Sequence, residues 1–130
     1  MKLVKPGWAL REPLSATEVF ADVIRIYRTY APVLAAITEV AAYDEVVREY
    51  WAAGFEQFVA RTEEVLRAEQ RAGRTPADLD PAAATRLVVL GGDRFLAHHV
   101  GLIPADPDAD AAAARELAAT WWYGVYHRPA

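Results

Sequence analysis

Apolar residues recur at intervals of three and four along nearly the whole chain, and nowhere alternate over any length with the period of two that a half-buried strand requires. The fold is therefore predicted to be all-α, an antiparallel bundle of about five helices with no β-sheet. Prolines, glycines and short polar caps interrupt the pattern and set where each helix starts and stops.

Residues 1–14 contain Pro6, Gly7 and Pro13 without periodicity and read as an irregular leader, with Trp8 as its one anchor. Residues 15–130 read as a single helical domain. Ser15 and Glu18 have the spacing of a capping box, and Val19, Phe20, Val23, Ile24, Tyr27 and Tyr30 follow on one face. Pro32 removes a backbone donor, so a break is expected near Tyr30, with a second segment running to Ala42. Asp44 is placed to cap a long helix over residues 45–72, closed by Gly73. Its stripe of Val47, Tyr50, Trp51, Phe55, Phe58, Val59, Thr62, Val65 and Leu66 opposes a charged face. Asp80 and Pro81 open a fourth helix, and Pro104 stops it. So few of residues 87–103 are polar that this helix is expected to be covered on most sides. A last helix spans residues 109–126.

At 130 residues the chain is long enough for one continuous core. It has no cysteine, so disulfides and thiolate chemistry are excluded and packing alone must hold it together, as suits a cytoplasmic protein. No apolar run approaches the roughly 20 residues that cross a bilayer. A net charge of -4 opposes direct contact with nucleic-acid phosphates. Lysine occurs only at positions 2 and 5 while alanine abounds, a bias expected of a high-GC bacterial genome.

Large rings on different helices face inward: Phe20, Tyr27, Trp51, Phe55, Phe58, Phe95 and Trp121. Such a set either fills a core or lines an apolar cavity. Gly54, Gly91 and Gly92 beside them favour the cavity, because glycine in a helix forfeits propensity and often marks close approach or spare room. Asp93 and Arg94 interrupt an apolar helix and must be paired with a neighbouring helix or meet a ligand. His98 and His99 are adjacent, point about 100° apart on a helix and do not share a metal ion. His127 stands apart from both, so no metal site and no cofactor is expected. Ser15, the only serine, reads as a cap, and no nucleophile with a base or phosphate loop is visible, so the chain is not expected to be an enzyme. The last two helices carry apolar residues nearly all round. Val88, Leu96, Val100, Trp122 and Tyr126 are the predicted homodimer contacts.

Tyr43-Asp-Glu-Val-Val-Arg-Glu-Tyr-Trp51, the helix end Ala68-Glu-Gln-Arg-Ala-Gly73 with Pro76-Ala-Asp-Leu-Asp-Pro81, and Trp121-Trp-Tyr-Gly-Val-Tyr126 resemble TetR-family transcriptional regulators, and within them the EthR-like C-terminal domains. The resemblance runs from about Val19 to Tyr126. It implies a domain whose helices enclose a hydrophobic tunnel and whose last two helices pair with a second subunit. A small hydrophobic effector in the tunnel would control DNA binding by an N-terminal helix-turn-helix head, for which the leader leaves no room. Carried over by position, the ligand-binding residues are Phe20, Val23, Tyr27, Trp51, Phe55, Phe58, Thr62, Val89, Gly92, Asp93, Leu96 and Trp121. Where the family has an asparagine-glutamate-arginine run, this chain has Gly92-Asp93-Arg94, and Val89 replaces an asparagine one turn earlier. Both anchoring amides are gone, leaving Asp93, Thr62 or apolar contact alone to hold a ligand. The alternative is a structural dimerisation module with a filled core and no ligand.

Overall fold

A computed structural model describes the backbone of residues 13–126 and the side chains of residues 16–126. The expected leader with Trp8, the Ser15 side chain and His127 lie outside the described residues. The described residues form five α-helices and a terminal π-helical turn, with no strand: α1 (Pro13–Thr29), α2 (Ala31–Ala41), α3 (Glu45–Arg71), α4 (Pro81–Leu102), α5 (Pro107–Trp121) and the π turn (Trp122–Tyr126).

The helix boundaries follow local chemistry. α1 begins at Pro13, ahead of the predicted start, which puts the Ser15 backbone inside its first turn. Pro32 leaves its mark as expected, with Tyr30 leaving helical geometry between α1 and α2. The Asp44 carboxylate accepts from the Val47 amide at 3.1 Å and caps α3. At the other end Gly73 turns left-handed at φ 77°, and the amides of Gly73 and Arg74 reach back to the Gln70 and Glu69 carbonyls. That is the Schellman closure, and only glycine takes this φ without strain. Gln70 then donates to the carbonyls of Pro76, Ala77 and Leu79, fixing the loop to α4. Asp80 and Asp106 cap α4 and α5, each ahead of a proline in the first helical position.

The core lies chiefly between α1 and α5. Ala113, Ala114 and Ala118 are small enough for α1 to settle against α5, burying Ala16, Phe20, Val23 and Ile24. Phe20 meets Trp121 with ring centroids 6.1 Å apart. The C-terminal end widens into the π turn, which carries Val125 and Tyr126 into the core and stacks Trp122 on Tyr126.

Two expectations are corrected. α4 is not covered on most sides within one chain: Leu87 is 73% and Leu102 65% exposed, and Leu90 lies open beside them. Phe95 does not face inward; it is exposed and stacks on His99. The apolar helix α2 buries none of its residues and instead lies across the open side of the bundle.

Candidate functional site

Because α2 lies across this side without filling it, a cavity of about 350 Å³ remains between α1, α2, α3, α4 and the end of α5. Helical spacing builds its wall. Phe20, Val23 and Tyr27 come from one face of α1; Trp51, Phe55, Phe58 and Thr62 from one face of α3; Val89, Gly92, Asp93 and Leu96 from one face of α4; Trp121 closes the far side. All twelve positions predicted as ligand-binding are brought to this one wall. Val19, Ile26, Leu34, Thr38, Tyr50, Gly54, Val88, Ala97 and Leu117 also line it and were not among the twelve, although Gly54 was flagged as a sign of spare room and Val88 was assigned to the dimer. Val19 and Ile26 share the stripe of Val23 and could have been found. Leu34 and Thr38 could not, since the sequence assigns α2 no inward face.

Of the flagged glycines, Gly54 and Gly92 line the cavity and Gly91 does not. A Cβ added at either lining glycine meets nothing within 4 Å, so the missing side chains leave open space and are not tight contacts.

Polar groups in the wall are few. The Tyr27 hydroxyl donates to Asp93 Oδ1 at 2.5 Å, so Asp93 is paired by hydrogen bond across 66 residues of sequence and not by an ion pair. Burial first, and then that hydrogen bond, pushes the phenol well above its ordinary range and keeps the proton on Tyr27. The Thr62 and Thr38 hydroxyls both turn back to their own helices, donating to the Phe58 and Leu34 carbonyls at 2.9 Å. Arg94 is exposed, with no ion pair among the described residues, contrary to the expected helix–helix pair.

A second polar cluster ties the bundle end together. Arg28, in the last turn of α1, forks onto Asp110 with bonds of 2.7 and 2.6 Å and donates to the Ile103 carbonyl at 2.8 Å. His99 Nε2 meets the same carboxylate at 2.8 Å. The Arg28 guanidinium is the main cause holding Asp110 down at about 2. Nothing in the local pattern announces this cluster, since its members come from three helices. Among the described residues no group of three His, Asp or Glu converges as a metal site, and no helix is long and apolar enough to cross a membrane.

The predicted dimer contacts are scattered. Leu96, at 4% exposure, and Tyr126 are already buried within the chain, leaving no surface for a partner; Val88 faces the cavity. Val100 and Trp122 are half-buried. The apolar surface left open on α4 instead follows Leu87, Gly91, Phe95, His98 and Leu102, a single helical stripe with Leu90 at its edge and Tyr123 exposed at the chain's far end. A helix that is apolar nearly all round gives little contrast from which to choose its outer face.

The family described as "Transcriptional regulator EthR, C-terminal domain" matches residues 16–127. No curated protein and no solved structure matches the chain.

Proposed function

The chain belongs to the EthR C-terminal-domain family of TetR-type transcriptional regulators, and on that premise we propose that it is an effector sensor: a small hydrophobic ligand occupies the cavity and governs DNA binding by a separate head. The observation that carries the reading is the aromatic-walled cavity of about 350 Å³, within the size range of small-molecule sites, ~300–1,000 Å³. A purely structural module gains nothing from leaving that volume unfilled, because each unfilled pocket forfeits packing energy.

The mechanism follows from what lines the cavity. α2 contributes Leu34 and Thr38 yet buries nothing, so a ligand gives it an apolar floor to pack on and shifts the bundle toward the arrangement that grips the ligand best. A coupling of about 1–3 kcal/mol between ligand and DNA affinity suffices for control. The α4 stripe of Leu87, Phe95 and Leu102 supports a homodimer through α4 and α5, with Gly91 at its centre allowing close approach.

Thermal unfolding against a panel of apolar compounds, with solution mass measured in parallel, tests both parts. A ligand that binds only the folded chain raises the midpoint with concentration. Several compounds should do so, and Phe55→Ala should change the response. A dimer with no saturable ligand returns the chain to the structural module. A monomer whose mass is unaffected by Leu87→Glu removes the dimer.

A further inference from the structure

Among the described residues every side chain that lines the cavity is uncharged except Asp93, and no lysine, arginine or histidine joins it. Oδ1 of Asp93 takes the Tyr27 hydroxyl, and the second oxygen has no hydrogen-bond partner among the described residues. Nor is that oxygen sealed off, since it is absent from the polar atoms that protein covers completely. Of the hydroxyls in the wall, Tyr27 is spent on Asp93, and Thr62 and Thr38 on their own helix carbonyls, which leaves the exposed Tyr50 hydroxyl and the Trp51 indole as donors. The rings of Tyr27, Trp51, Phe55 and Trp121 line the same cavity, and an aromatic face attracts a cation. Among the described residues the wall therefore offers one carboxylate acceptor, several rings and no cationic side chain.

Building on the sensor reading, we propose that the ligand is a lipophilic amine, whose protonated nitrogen donates to the free oxygen of Asp93 while its hydrocarbon body fills the apolar volume. Tyr27 acts as the positioning residue: its hydrogen bond fixes one carboxylate oxygen and so aims the other. Anionic amphiphiles are disfavoured, because a carboxylate placed beside Asp93 meets like charge. An uncharged alcohol keeps the apolar contacts and one donor but loses the charge.

Decylamine, decanol and decanoate share a chain length and differ only in the head, so their dissociation constants on the full chain separate charge from hydrophobicity. Calorimetry at neutral pH, below the concentration at which each aggregates, reads them directly; the fluorescence of Trp51 and Trp121 gives a second signal. Decylamine should bind at least tenfold more tightly than decanol, and decanoate more weakly than decanol. Asp93→Asn keeps the size and an acceptor for Tyr27 but puts an uncharged amide donor in place of the free oxygen, and should bring amine and alcohol within about threefold of each other. Because the readout is a ratio within one variant, a general loss of stability cancels. Equal binding of amine and alcohol, or an amine preference that survives Asp93→Asn, overturns the amine assignment and leaves the cavity as a ligand site. Failure of all three ligands overturns the cavity reading along with it.

Discussion

Replacing Gly54 and Gly92 by alanine separates the cavity from the fold that carries it. Both glycines lie in the interiors of long helices, α3 and α4, where glycine is about 0.8–1.0 kcal/mol less favourable than alanine. Neither added Cβ meets a heavy atom within 4 Å, so no steric cost offsets the gain. Each substitution should stabilise the chain by about 1 kcal/mol and the pair by about 2. For a chain of 130 residues that is a rise in Tm of roughly 3–6 °C per substitution. Each methyl also takes about the room of one water, ~30 Å³, so the pair removes a noticeable part of the cavity of about 350 Å³. A ligand that fills the cavity should bind the double variant several-fold more weakly although the protein is more stable. Urea titrations with and without ligand measure both quantities. A loss of stability in either single variant refutes the claim of open space at that glycine; a gain in stability with unchanged ligand affinity refutes the claim that these glycines border the binding volume.

Asp110 gives the acid response. Its folded pKa of about 2 lies below the ordinary 3.8, so its stabilising effect is present above about pH 4 and is lost as pH falls toward 2. Nearly two units bound the effect at about 2 kcal/mol, and partial solvent access reduces it to about 1. Asp110→Asn should therefore lower the midpoint at pH 7, with the difference from wild type vanishing near pH 2 in a thermal scan. Gly73→Ala should cost about 1 kcal/mol, since φ 77° disfavours any Cβ, and Gly73→Asn should cost less. The Glu69 side chain is only 2% exposed and is paired with Arg74, so Arg74→Ala should cost about 2 kcal/mol by denaturant titration. Arg86→Ala, which breaks a fully exposed pair with Glu56, should leave the midpoint unchanged.

The sequence alone determined what depends on near neighbours. A cap at Asp44 or Asp80 acts on amides two or three residues away, and the positive φ of Gly73 answers a closure within its own turn. Periodicity likewise fixed which residues share a helix face, and the family resemblance, carried over by position, assigned those of α1, α3 and α4 to one wall. Tertiary structure decided how each helix is rotated against its neighbours and what lies opposite. It made Leu96 a core residue and Leu87 a surface one, turned Phe95 outward onto His99, and left α2 beside a space that apolar spacing alone allows to be either filled or open. It also joined Tyr27 to Asp93 and Arg28 to Asp110, with His99 on the same carboxylate as Arg28. Those pairs span tens of residues, and their energies depend on distance and burial, which a one-dimensional pattern does not contain.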